Sequence, residues 1–121
     1  MEPNWIAEES VIFLYKDGRR VPGRIAVGMP VQISDDEAQC LVALDGVDSR
    51  HVPAMGSSPL QALLLGLGHL GYRLYDFISK GGRVIDPVDD SNFGIEAYFG
   101  PLLRHATGKP EDMEAFGNME D

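Results

Sequence analysis

The fold is decided by residues 58–82, which read SPLQALLLGLGHLGYRLYDFISKGG. Ser58 is a good N-cap residue, Pro59 suits the first helical position, and Gln61 completes a capping box. The two glycines that close the stretch, Gly81-Gly82, are typical of a helix C-cap. Between these signals the apolar residues follow the helical period, so the stretch predicts one long amphipathic helix.

The predicted helix, about residues 58–80, has an apolar face and a polar face. The apolar face, which we expect to be buried, collects Leu60, Leu63, Leu64, Leu67, Leu70, Gly71, Leu74, Phe77 and Ile78. The polar face holds Gln61, His69, Arg73, Asp76 and Lys80, and the last two are spaced for an i,i+4 ion pair. Leu65 and Tyr72 interrupt this polar face, either because the C-terminal segment covers them or because they mark an interface. We therefore predict an interaction surface, the helix patch, formed by Leu65, His69, Tyr72 and Asp76.

The chain ahead of the helix reads as a series of short strands. Residues 6–15, 21–28, 39–44 and 47–52 have strand-like composition, and residues 31–33 extend the second run. Asp17-Gly18 and Asp45-Gly46 are typical of tight turns. Pro22 and Gly23 predict an edge position or a bulge in the second strand. After the helix, residues 83–88 favour one more short strand.

Together these patterns predict an α+β fold. We expect an antiparallel four- to five-stranded meander with the long helix packed on one face, plus a short C-terminal segment. A chain of 121 residues suits one modest core. We assign residues 1–105 to this single domain and residues 106–121, which are rich in Glu and Asp, to an acidic C-terminal tail.

Inside the helix lies a literal match to the dinucleotide-binding fingerprint G-x-G-x-x-G, at Gly66, Gly68 and Gly71. Asp86 even follows Gly66 at the fingerprint's spacing. The fingerprint needs a strand before its glycines and a βαβ unit around them. Here the capping signals begin a helix before the glycines, and the helical phase continues through them. We therefore predict no dinucleotide site and no cofactor.

Candidate metal ligands and catalytic groups lack a supporting pattern. The three histidines and the lone Cys40 show no paired ligand spacing, so we predict no metal site, and we expect His69 to be solvated. Most aspartates fall in predicted turns, where local hydrogen bonding favours them. The sequence leaves open whether Asp86, Asp89 and Asp90 form a site. No catalytic residue is predicted.

Charge and composition restrict the partners. The net charge is -9 and the pI is about 4.6. Binding to a phosphate backbone needs clustered Lys and Arg, so we expect no nucleic-acid partner. The longest apolar run is broken by polar residues, so we expect no membrane span. One cysteine excludes an intrachain disulfide, and residues 1–5 lack the basic start of a signal peptide. These features favour a cytoplasmic protein.

Three sequence features, taken in their order along the chain, carry a resemblance to a known family. Residues 56–63 read GSSPLQAL, Gly28-Met29-Pro30 follows the second strand, and Cys40 precedes Asp45-Gly46. This order resembles a family of small bacterial proteins of unknown function, whose helix opens G-x-D-S-x-Q-A-L. The resemblance covers roughly residues 6 to 80. Ser58 and Pro59 depart from that motif by replacing its Asp and Ser. The resemblance implies the meander-plus-helix fold and a bacterial origin, and no activity.

The sequence favours two classes of function. The first is a small acidic, non-enzymatic protein-interaction module, resembling an immunity protein or antitoxin, that neutralises a basic partner or pairs with itself as a homodimer. The alternative is a homo-oligomeric protein that binds a small ligand in a pocket between sheet and helix. Gly71 would form the floor of that pocket, and Tyr72, Tyr75 or Tyr98 would line it. An enzyme would need a titratable cluster in a cleft, which the sequence does not predict.

Overall fold

The computed structural model describes residues 3–100. These residues form six strands and one long helix: β1 (Trp5–Leu14), β2 (Arg20–Gly28), β3 (Val31–Ser34), β4 (Glu37–Asp45), β5 (Val52–Gly56), α1 (Pro59–Ser79) and β6 (Arg83–Ile85). Residues 95–100 add a short helical segment. The predicted α+β class, with an antiparallel sheet and one long helix packed against it, is confirmed. The predicted tail, residues 106–121, lies outside the described residues.

The first five strands form the predicted antiparallel meander. One side of β4 pairs with β2 through residues 42–45 and with β3 through residues 37–39, so β2 and β3 act as two halves of one bent strand. The bend falls at Met29 and Pro30. β5 pairs with the opposite side of β4. After α1, β6 returns to pair antiparallel with β1 at the far edge of the sheet.

One strand prediction needs correction, and the position of Pro22 in β2 needs a more exact description. Residues 47–51 do not form a strand, because the N–H groups of Val47 and Asp48 both donate to the Leu44 carbonyl in a turn, and β5 begins only at Val52. Pro22 lies at a local edge position, as predicted, although β2 as a whole lies between β1 and β4. The last pair of β2 with β4 is Arg24 with Asp45, so Pro22 lies beyond the end of β4 and needs no hydrogen bond on that side.

Both ends of α1 follow the predicted capping chemistry. The N–H of Gln61 donates to Ser58 Oγ at 3.2 Å, while Gln61 Oε1 accepts from the Ser57 N–H at 2.6 Å, one residue earlier than a capping box requires. At the other end Gly81 has a φ of +98°. The N–H of Gly82 donates to the Phe77 carbonyl at 3.0 Å, which completes a Schellman motif.

The core lies between α1 and one face of the sheet. On the helix it buries Ala62, Gly66, Leu70, Gly71, Leu74 and Phe77. The sheet contributes residues that include Val11, Phe13, Val27, Cys40, Val42 and Leu44. A Cβ built on Gly66 would lie 2.9 Å from Val42 Cγ1, which shows how closely the helix backbone approaches β4.

The predicted apolar face of the helix was partly wrong. Leu60 and Leu64 are 66% and 47% exposed, and Ile78 is also exposed. The small residues Ala62 and Gly66 face the sheet instead, because they allow the helix backbone to come closer than leucine side chains would. Because of this close packing, the buried face of α1 is not centred on the face that hydrophobicity alone indicated.

Candidate functional site

The four residues of the helix patch share one side of α1 but differ in exposure. Tyr72 is half-exposed, whereas Leu65 and His69 are partly buried. His69 Nε2 is buried and has no hydrogen-bond partner among residues 3–100, so the expectation of a solvated imidazole was wrong. The patch therefore presents mainly the Tyr72 ring to solvent.

Asp76 of the helix patch has its charge compensated by neighbours. Its Oδ2 lies 3.1 Å from Arg73 Nη1 and 3.1 Å from Lys80 Nζ, which confirms the predicted i,i+4 pair. Arg73 Nη2 also lies 2.6 Å from Asp48 Oδ1 and so joins α1 to the β4–β5 loop. The Asp48 carboxylate raises the pKa of Arg73. A partner at this patch would meet paired charges and one exposed ring.

Asp86, Asp89 and Asp90 share one loop, and each carboxylate has its own partner. Asp86 Oδ1 accepts the Val88 N–H at 2.7 Å. Asp89 accepts the N–H and hydroxyl of Ser91, and these bonds lower the pKa of Asp89. Asp90 pairs with Arg20 at 2.9 Å. Turn chemistry therefore accounts for Asp86 and Asp89, and a long-range ion pair accounts for Asp90.

The other motifs also have structural explanations. Gly66, Gly68 and Gly71 all lie within α1, as the capping signals predict. Residues 3–100 hold no group of three or more His, Cys, Asp or Glu side chains placed to bind a metal. The same part of the chain has no helix with the length and apolarity that a membrane crossing requires.

The sheet face opposite α1, the open face, carries a cluster that the sequence analysis missed. This indole cluster consists of Trp5, Glu8, Arg24, Asp45 and His51. Arg24 Nη2 lies 2.8 Å from Asp45 Oδ2, and Arg24 Nη1 lies 3.4 Å from Glu8 Oε1. The Arg24 guanidinium carbon lies 5.0 Å from the centre of the Trp5 ring. The cation is thus shared between two carboxylates and an aromatic face.

His51 completes the indole cluster. Its ring meets the Trp5 ring edge-on at 5.0 Å, and its Nε2 lies 3.7 Å from Asp45 Oδ1. Ala26 and Ala43 pair with each other in the sheet, are 1% exposed and lie outside the core beneath α1. We attribute this burial to cover by side chains on the open face. We interpret the indole cluster as a small second layer of the fold.

β3, the turn after it and the first residue of β4 form an exposed part of the sheet, which we name the acidic hairpin (residues 31–37). All of its residues are exposed, and Val31 and Ile33 are each more than half exposed. Within residues 3–100, no ion pair involves its three carboxylates, which belong to Asp35, Asp36 and Glu37.

The acidic hairpin is held in shape by its own side chains. Gln32 Nε2 donates to the Ser34 carbonyl at 2.6 Å and to the Glu37 carbonyl at 3.0 Å. The Ser34 hydroxyl donates to Asp36 Oδ1 at 3.2 Å. The hairpin is therefore an ordered surface that combines apolar side chains with unpaired negative charge. The sequence showed the acidic run but not the free strand beside it.

A depression of about 500 Å³ lies at the β1–β2 turn, lined by Tyr15, Lys16, Asp17 and Arg19. Arg19 pairs with Asp17 at 2.9 Å and stacks on the Tyr15 ring at 4.3 Å. The predicted ligand pocket was placed elsewhere, between sheet and helix. Val42 and Ala54 approach the helix backbone at Gly66, whereas the predicted pocket had its floor at Gly71, and that pocket stays a prediction.

Comparisons with protein families, curated proteins and solved structures found no match to this chain. The resemblance to the bacterial family therefore stays a prediction. The fold and surfaces of residues 3–100 define a class: an acidic α+β protein with one long helix packed on an antiparallel sheet and an exposed acidic hairpin.

Proposed function

We propose that this chain is a non-enzymatic protein-interaction module that binds and neutralises a basic partner through the acidic hairpin. One observation carries the proposal: Asp35, Asp36 and Glu37 are exposed and lack ion pairs among the described residues, beside exposed Val31 and Ile33. Apolar side chains supply the area that an interface buries, and unpaired charge supplies steering and partner choice. The hairpin offers both within a few residues.

The charge distribution favours the hairpin over the helix patch as the contact for a basic partner. Asp76 in the helix patch is already paired with Arg73 and Lys80. A basic partner would have to displace these cations before gaining an attraction. The hairpin carboxylates require no such exchange. The net charge of -9 adds a long-range attraction for a cationic partner. Immunity proteins and antitoxins of the bacterial cytoplasm are the model for this role.

The proposal is tested by two charge-reversal variants that change the net charge equally but at different places in the chain. Tagged wild type, the hairpin variant D35K/D36K/E37K and the control variant E111K/D112K/E114K are used to isolate partners from the native host. Both variants carry the same change in net charge. At an ionic strength of about 0.15 M, we expect wild type and the control to retain one basic protein. The hairpin variant should bind that protein at least about tenfold more weakly, since like charges now face each other.

Two outcomes would overturn the proposal. In the first, no basic protein is enriched by the wild type over an unrelated acidic protein of similar size. In the second, the hairpin and control variants retain the partner equally, which would make the interaction a non-specific effect of net charge.

A further inference from the structure

The edges of this sheet are not equally protected against pairing with another chain. An exposed edge strand is a template for pairing, and proteins block such edges with Pro, short length or a covering segment. β6 has three residues and is covered in part by a bridge from Ile85 to Asn92. β5 contains Pro53, which has no N–H to donate.

β3 is also short, with four residues, but it contains no proline. It pairs with β4 alone, and no other described strand lies beside it. In an antiparallel ladder alternate N–H and C=O groups point away from the partner strand, so β3 presents backbone groups that β4 does not use. The Ser34 carbonyl is occupied, because it accepts from Gln32 Nε2 at 2.6 Å. Val31 and Ile33 on the same strand are 54% and 51% exposed. The edge therefore offers backbone hydrogen bonds together with apolar side chains.

The negative charge next to β3 determines which kind of segment can pair with this strand. Asp35, Asp36 and Glu37 continue directly from the strand and have no ion pair within the described chain. A second copy of this chain brings another charge of -9 and is repelled. An extended segment that carries Lys or Arg between apolar residues complements both features.

We propose that β3 binds an extended basic segment of the partner, which adds to the sheet as a further strand. This inference rests on the proposed function and specifies how the basic partner is held: backbone hydrogen bonds to β3, with cationic side chains against the acidic hairpin. Strand addition draws affinity from main-chain bonds and specificity from alternate side chains.

The test uses a synthetic peptide of alternating lysine and valine, and the same peptide with every backbone amide N-methylated. Methylation keeps the charge and removes the backbone donors. We expect the parent peptide to bind at low salt and the methylated peptide to bind at least about tenfold more weakly. NMR should show slowed amide exchange at alternate positions within Val31–Ser34 when the parent peptide is bound.

Two matched variants test whether the peptide binds at the β3 edge or at the β5 edge. Val31 and Met55 lie in one cross-strand row, because both pair with Gln39 of β4 from opposite sides. V31K places a cation on β3 and should weaken peptide binding at least about tenfold, whereas M55K adds the same charge on β5 and should change it less than about threefold.

The outcomes separate this inference from the proposed function. Equal binding of the two peptides, with the native partner still dependent on the hairpin charges, would overturn strand addition and leave the proposed function standing. Failure of both peptides to bind would overturn strand addition as well. Concentration-dependent protection of β3 amides without peptide would show that a second copy occupies the edge, against the inference.

Discussion

Alanine at Gly66 and alanine at Gly68 should change stability in different ways, although both replace a glycine inside α1. In a helix interior, Gly→Ala stabilises by about 1 kcal/mol through propensity. At Gly68 the new Cβ meets nothing within 4 Å, so Gly68→Ala should realise that gain. At Gly66 the new Cβ would lie 2.9 Å from Val42 Cγ1, which forces the helix or the valine to move.

The size of the Gly66 effect follows from the cost of overpacking. Forcing a methyl group into a packed core costs about 1–3 kcal/mol. The propensity gain is common to both variants, so their free energies of unfolding should differ by about 1–3 kcal/mol, with Gly68→Ala the more stable. At roughly 4 °C per kcal/mol for a domain of this size, the difference in Tm is about 4–12 °C.

Urea titrations followed by circular dichroism measure both free energies. The slope with denaturant should match wild type, since neither variant changes the surface exposed on unfolding. Equal stabilisation of the two variants, within about 0.5 kcal/mol, would refute the close approach of α1 to β4 at Gly66.

Three further predictions concern individual side chains. In a double-mutant cycle of Arg73→Met and Asp48→Asn, we expect a coupling energy of about 1 kcal/mol, because both side chains are partly buried, and additive effects would contradict the pair. Cys40 is 0% exposed, and its burial raises the pKa of its thiol. A thiol reagent at pH 8 should therefore label the native protein at least about 10³-fold more slowly than the urea-unfolded protein. Comparable labelling rates would contradict this burial. Ser91→Ala should raise the pKa of Asp89 in an NMR titration, because the Ser91 bonds hold it below its ordinary value. Because the pKa of Asp89 is depressed in the folded state, the Asp89 carboxylate contributes to stability above its unfolded pKa of about 3.9. This contribution is lost as the pH falls through the folded pKa. An unchanged pKa of Asp89 in the variant would contradict the role of Ser91.

The limits of α1 could be predicted because capping is local chemistry. Ser58 accepts from a backbone N–H within one turn, and Gly81 adopts a φ that other residues avoid, so both signals can be read from neighbouring letters. The side of α1 that faces the sheet could not be predicted in the same way. It depends on the fit of Gly66 against Val42, which are far apart in the sequence.

The surfaces were harder to predict than the elements. The indole cluster forms because Arg24 pairs with Asp45 in the sheet, and this register is not visible in either strand alone. β5 was placed too early because Val47 favours strands, yet its N–H is used in a turn, while Pro53 lies inside the actual strand. The acidic run at Asp35 was visible, but its free neighbouring strand is a property of the assembled sheet.

The pairing of β6 with β1 also determines when the sheet can be completed during synthesis. Ile12 pairs with Ile85, so one edge of the sheet is completed only after nearly the whole described chain has left the ribosome. Until α1 has emerged, the meander from β1 to β5 exposes the apolar face that α1 later covers. Contacts between such distant segments slow folding, because a long loop must close before they form. The nascent chain therefore passes through a stage in which the apolar face of the sheet is uncovered. Aggregation at that stage must be prevented by the chain's own negative charge or by a chaperone.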